Sequence, residues 1–156
     1  MSKYITSLTT TGVNSPNVTN LITGTLSSAQ LLSLTSTMGI SLIPAAGSDT
    51  VIAISQILWE YKYGTITYVP NSSIVIAYNS NLTYPAWSKS TTFGNITNTV
   101  SDTQSNFSNY ISGFTQDLAL SSITNQPVTI LTDGVLGFTL GNGTVNYSIY
   151  YRVVNV

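Results

Sequence analysis

The chain has 156 residues, four Lys or Arg against five Asp or Glu, and a formal net charge of −1. Charged residues make up 6% of it, against about 25% in an ordinary soluble domain, and 22 Ser, 24 Thr and 14 Asn take their place. Cys and His are absent, which excludes a disulfide framework, a Cys/His zinc site and thiol or imidazole catalysis, and so few basic residues cannot neutralise a run of phosphates, which sets nucleic acid aside.

Residues 1–24 are rich in Thr, Ser and Asn with thin apolar content and read as an extended arm or an edge strand. Their opening lacks the apolar core of a signal peptide, so the mature chain is expected to start near Met1. Residues 27–34 carry the clearest helix signal: Ser27 and Gln30 have capping-box spacing ahead of Leu31, Leu32 and Leu34, with Gly39 placed to end the turn. A short strand follows over 40–43, stopped by Pro44. Residues 51–63 form the clearest strand. Val51, Ala53, Ser55, Ile57, Trp59, Tyr61 and Tyr63 share one face, and Ile52, Ile54, Gln56, Leu58, Glu60 and Lys62 share the other. Both faces begin apolar, which predicts burial on both sides, and Glu60 and Lys62 are placed to pair.

Strands over 65–69 and 74–78, separated by Pro70-Asn71-Ser72-Ser73, have the rhythm of a hairpin. Residues 79–124 read as a long irregular insertion. Within it, Phe107, Tyr110, Ile111 and Phe114 have helical spacing and suggest a weak helix over 100–114, although so many Asn, Ser and Thr are poor helix formers. The last third is β-rich: a strand over 127–131, a turn at Asp133-Gly134, and strands over 135–140 and 144–154 joined by Gly141-Asn142-Gly143 in hairpin fashion. In the last strand Val145, Tyr147, Ile149, Tyr151 and Val153 form an apolar face. Seven or eight short strands at this spacing predict an all-β, single-domain antiparallel β-sandwich, jelly-roll-like, over 25–156, with one short helix near 27–34.

Leu, Ile, Val and Phe number 45, enough for a core. Mean hydropathy is +0.24, yet no apolar run approaches the ~18 residues of a membrane span. Asp49, Glu60, Asp102, Asp117 and Asp133 are the whole carboxylate set. Acid therefore has little to titrate, and tolerance of low pH is expected.

No constellation supports acid–base or nucleophilic chemistry. The acids are scattered, and a serine nucleophile has no histidine. Ser88-Lys89-Ser90 holds the residue types of a Ser–Lys dyad but reads as a loop. No catalytic, metal or cofactor residue is assigned. Of the aromatics, Trp59, Tyr61, Trp87, Tyr147 and Tyr151 are the candidates for subunit contact or for stacking on a sugar. Asn-x-Ser/Thr sequons stand at Asn17, Asn71, Asn81, Asn95, Asn106, Asn142 and Asn146, candidates for N-glycosylation where the host modifies them.

Two stretches carry a resemblance. One is LSSAQLL (26–32) with GISLIPAAG (39–47) and the β-rich run through Tyr68. The other is NQPV (125–128) with GFTLGNGT (137–144) and the closing YYRVV (150–154). About half of the chain, 26–78 and 125–154, resembles small structural proteins of tailed phages, prophages and some archaeal viruses. That resemblance implies a β-sandwich virion component, packed as an oligomer on a head or tail, with no catalytic residues to carry over. The expected partners are copies of itself and other virion proteins, in a particle assembled in the host cytoplasm and released. The rival expectation is a carbohydrate-binding sandwich that attaches to a host-surface glycan; a secreted hydrolase ranks last.

Overall fold

The computed structural model describes residues 18–90, 97, 100–108 and 119–156, with 87–90 and 103–108 as backbone strands. In chain order the elements are β1 (Asn20–Leu26), α1 (Ser28–Ser33), β2 (Ile40–Ile43), β3 (Thr50–Lys62), β4 (Val69–Pro70), β5 (Ile74–Tyr78), β6 (Pro85–Ser90), β7 (Thr103–Ser108), α2 (Leu120–Ile123), β8 (Val128–Thr132), β9 (Phe138–Thr139) and β10 (Thr144–Asn155).

Two antiparallel four-stranded sheets form a sandwich. One has the order β1-β10-β3-β7 and the other β2-β8-β5-β6, with β4 and β9 as a two-stranded clip. Apart from the clip, the pairing is nested: β1 lies on β10, β2 on β8, β3 on β7, and β5 on β6. One hydrophobic cluster draws Ile57, Trp59 and Ile149 from the first sheet and Ile74, Ile76 and Ile130 from the second. A smaller cluster, Val75, Ala77 and Leu131, buries the opposite face of β5 and β8.

The central strand β3 shows how sequence periodicity and burial part company. Its buried residues are Thr50, Ile52 and Ile54, then Ile57, Trp59 and Tyr61, so the buried parity changes midway. The register steps from Ile54↔Tyr151 to Gln56↔Tyr150, leaving Ser55 as one extra residue, and its hydroxyl donates to the Tyr150 carbonyl at 3.0 Å. An extra residue in one strand moves every later side chain to the other face. The predicted burial on both faces of β3 is therefore corrected: both apolar runs face the same core, one on each side of a bulge.

Helix α1 begins where the capping box places it. Gln30 N donates to Ser27 Oγ and Ser27 N to Gln30 Oε1. It stops at Leu34 rather than Gly39, because Leu34 turns extended, drops into the core and offers its carbonyl to Gly137 N at 3.1 Å.

Four further expectations are corrected. The 65–78 hairpin is absent, because β5 crosses to the second sheet and pairs with β8 and β6. Residues 135–140 form no hairpin with 144–154, because only Phe138–Thr139 is a strand and it pairs with β4. The weak helix gives way to β7, whose backbone satisfies the open edge of β3, while 109–114 lie outside the described residues. Ser88-Lys89-Ser90 belongs to β6 rather than a loop. Residues 1–17 of the expected arm also lie outside the described residues, and Asn20–Leu26 is an edge strand on β10.

Two buried tyrosines differ in their hydroxyls. Tyr78 of one sheet donates to the Ile52 carbonyl of the other at 2.5 Å. Tyr61 Oη is buried with no hydrogen-bond partner among the described residues. Removing a satisfied partner strands a buried carbonyl, whereas removing an unsatisfied hydroxyl strands nothing. Urea unfolding should therefore show Tyr78→Phe less stable by about 1–3 kcal/mol and Tyr61→Phe unchanged or more stable. Equal losses for the two variants would refute this account.

Candidate functional site, an apolar loop end

The nested pairing brings to one end of the sandwich residues 27–39 with α1, 63–73, 100–102 ahead of β7, and 133–143. Hydrogen bonds lock these loops together. Gly137 N donates to Leu34 O, Ser36 N to Gly134 O and Asn71 N to Gly137 O. Ser73 N donates to Asp133 Oδ1 at 2.8 Å, and Ser72 Oγ to Leu136 O at 2.7 Å.

Asn142 is the principal staple. Its Oδ1 accepts from Thr65 N at 2.8 Å and Ile66 N at 2.9 Å, and its Nδ2 donates to Thr65 Oγ1 at 2.8 Å. The chain reaches this position through Leu140 and Gly141, with φ of 60° and 95°. A Cβ at Gly141 would stand 2.3 Å from the Tyr68 ring, so glycine is required for space as well as for φ. Tyr68 packs edge-on to Tyr61 and Phe138, and its Oη donates to Gly143 O at 2.6 Å.

With the backbone spoken for inside, apolar side chains are turned outward. Val135 is 80% exposed, Leu140 66%, Met38 64% and Leu136 60%, and Leu32, Ile66, Val69 and Val100 are exposed at the same end. Scattered single exposures are ordinary, but eight of the fourteen large apolar side chains exposed among the described residues lie at this end, and a concentration of that kind is what interaction surfaces present.

One charged cluster, Glu60, Lys62 and Asp102, lies beside this end on the outer face of the first sheet. Lys62 Nζ stands 3.0 Å from Glu60 and 3.2 Å from Asp102. The Tyr63 amide, then Lys62, hold the Asp102 carboxyl below its ordinary value, while Glu60 and Asp102 raise Lys62. The ladder extends to β1, since Asn146 Nδ2 donates to Glu60 and Thr25 Oγ1 to Asn146 Oδ1. These groups are solvent-exposed and tie strands together at little energetic gain.

The aromatic candidates do not gather. Trp59 and Tyr61 are core residues, 4% and 0% exposed, so neither offers a ring to a sugar or a neighbouring subunit, which corrects their nomination. Tyr147 and Tyr151 are half-buried on the core margin, Tyr147 edge-on to Trp59 at 6.2 Å. Trp87 lies in β6 opposite Ile76, and its side chain is outside the described residues. Among the sequons, Asn71 and Asn81 are exposed, whereas Asn142 and Asn146 spend their amides on hydrogen bonds. Asn17 and Asn95 fall outside the described residues, as does the side chain of Asn106 in β7.

Sequence reasoning missed the loop end because it took 65–69 and 135–140 for strands. A faint signal was present: Val135-Leu136 is a two-residue apolar island between Gly134 and Gly137, too short to span a strand. Among the described residues no three His, Cys, Asp or Glu side chains gather to hold a metal ion, and no helix is long and apolar enough to cross a membrane.

No protein-family model matches the chain, and no curated protein does. Among solved structures, it is similar to a chain of the cyanophage Pam1 capsid asymmetric unit, at 12% identity and a TM-score of 0.45, over 97% of this chain and 96% of that one. A likeness this distant decides neither fold nor role.

Two predictions follow from the staple and the buried phenols. Asn142→Ala should lower stability by about 1–2 kcal/mol, and Asn142→Asp, which keeps the acceptor for Thr65 and Ile66, should lose less than half of that. Denaturant midpoints of the two variants check it. Burial pushes the Tyr68 and Tyr78 hydroxyls from 10.0 up to about 12. Their contribution is complete below about pH 10, where unfolded tyrosine keeps its proton, and is lost as pH rises towards about 12, because the unfolded chain then binds fewer protons. Asp102 acts in the opposite direction, its contribution fading as pH falls through its lowered value, but it is exposed and weak. Calorimetric Tm against pH should fall more between about pH 10 and 12 than between about pH 5 and 3; the reverse asymmetry would contradict it.

Proposed function

We propose that the chain is a non-catalytic structural subunit of a virus particle, a jelly roll that works by packing against copies of itself and against other virion proteins. The observation that carries the assembly role is the apolar loop end, where hydrogen-bonded loops hold Val135, Leu136, Leu140 and Met38 in solvent on a chain of net charge −1. A charge near zero with exposed apolar surface favours association.

The nested strand pairing supports the jelly-roll reading. With the two-residue clip set aside, first pairs with last, second with second-last, third with third-last and the middle two with each other, as when one long hairpin is rolled into two sheets. Jelly rolls serve as viral capsid domains, lectins and cupins, so the fold leaves the role to the surface. Metal chemistry built on histidine is closed to a chain without His. The glycan-binding alternative loses its leading residue, since Trp59 is inside the core. The virus-particle setting rests on the resemblance of 26–78 and 125–154 to virion structural proteins.

Size-exclusion with light scattering should give a mass that is a multiple of 16.7 kDa. Val135→Asp combined with Leu140→Asp removes two side chains worth ~1.5 kcal/mol or more each when buried, and should weaken association by about 100-fold. A native monomer at micromolar concentration, indifferent to these changes, would refute the proposal.

A further inference from the structure

Four strands end the two sheets, and they are not equally guarded. β2 is four residues long, irregular in register and followed by Pro44. β6 opens on Pro85, carries Lys89 and pairs irregularly with β5. β7 starts beside the Asp102 carboxylate and its ion pair with Lys62. Short length, bulges, proline and charge are the usual devices that keep a sheet edge from pairing with another chain.

β1 has none of them. Its seven residues, NLITGTL, contain no charge and no proline, and run in unbroken register from Asn20↔Tyr151 to Leu26↔Val145. Among the described residues, no strand lies on its outer side. Leu21 is 54% exposed on it, and Thr23 and Thr25 are exposed beside it.

We propose that β1 pairs antiparallel with β1 of a second copy, about a two-fold axis at Thr23, joining the two first sheets into one eight-stranded sheet. This deepens the assembly reading above and rests on it. A two-fold contact sets a patch against itself. A charge at the axial position would face its own copy and repel it, and β1 is neutral there and throughout its length. The axis at Thr23 sets Thr23 against its own copy, a favourable cross-strand pair. It also lays Leu21 against Thr25 of the second copy, which covers the most exposed apolar group of the strand. On the inner face Ile22 meets Gly24 of the second copy. There a side chain would obstruct the contact least, because Gly24 has none and Tyr147 already occupies the space above it.

The absence of native cysteine makes the test direct. In a two-fold pair the Cβ atoms at position 23 lie about 4.5–5.5 Å apart, close enough for a disulfide on small adjustment. Under mild oxidation the full-length Thr23→Cys variant should run as a covalent dimer on a non-reducing gel. Leu21→Cys, whose copies are separated by four residues along the strands, should remain monomeric. Thr23→Lys, at an exposed position, should abolish the two-fold step in solution mass while circular dichroism stays that of the native chain. Cross-linking of both cysteine variants alike, or of neither, overturns the proposal. So does a Thr23→Cys cross-link that forms only after residues 2–17 are deleted, which would mean that the chain's own N-terminal segment occupies the edge. If these variants fail while Val135→Asp with Leu140→Asp still lowers the mass, the edge pairing falls and the packing role stands.

Discussion

The antiparallel ladder between β3 and β10 is the contact on which the rest of this structure depends. It joins residues 50–62 to residues 144–155, nearly a hundred positions apart, and places both strands in the middle of their sheet. Long-range pairing of this kind is slow to form and has to be specified by side chains, because loop-closure entropy opposes it. The specification is visible in the register. Val145 lies opposite Tyr61, Tyr147 opposite Trp59, and Ile149 opposite Ile57, so the largest core residues meet in rows. The bulge at Ser55 then allows Ile52 and Ile54 to join the same core, so one thirteen-residue strand fills it along its whole length. Once this spine is set, β1 and β7 can only add at its two edges. The second sheet closes over it through the Tyr78 bond to the Ile52 carbonyl.

Much of this was legible in the residues. The capping box at Ser27 and Gln30, the strands over 40–43, 51–63 and 144–154, and the all-β sandwich follow from local signals that tertiary structure leaves intact. The failures share a cause. The 65–78 and 135–154 hairpins were inferred from adjacency in sequence, and adjacency is the usual rule for strand pairing. Here the chain crosses between sheets at both places, and the crossings are made by single residues: Asn142, which takes over the backbone amides of Thr65 and Ile66, and Gly141, which admits the Tyr68 ring. An Asn and a Gly between two apolar runs are also what a hairpin turn looks like. Only the distant partner tells the two apart. The bulge at Ser55 was hidden for the same reason, since it exists only relative to β10.

The candidate surface was less legible than the fold. Aromatic content drew attention to Trp59, Tyr61 and Tyr147, but large rings are what a sandwich of this size uses to fill its interior. The exposed groups are ordinary aliphatics, Val135, Leu136, Leu140 and Met38, whose exposure depends on where the loops run. Nothing in residue type separates an outward Leu140 from an inward Leu131, and only the positive φ at Leu140 reports the strain that points it away.

Shape therefore has to do the work that charge does elsewhere. A surface dominated by hydroxyls and amides has weak long-range fields, so the proposed encounter between copies would be unsteered, with selectivity coming from fit at close range. Two distinct surfaces matter in such a scheme. A self-complementary contact closes on itself after two copies, whereas a patch that meets a different patch builds rings or open filaments according to its rotation. The guarded edges at β2 and β6, beside an unguarded β1, limit which of these contacts can form. The rigidity of the loop end, fixed by Asn142, Asp133 and the backbone bonds around Gly137, lowers the entropy lost when it is buried. The packing role proposed above calls for both properties: contacts few in kind, and surfaces already held in their bound form.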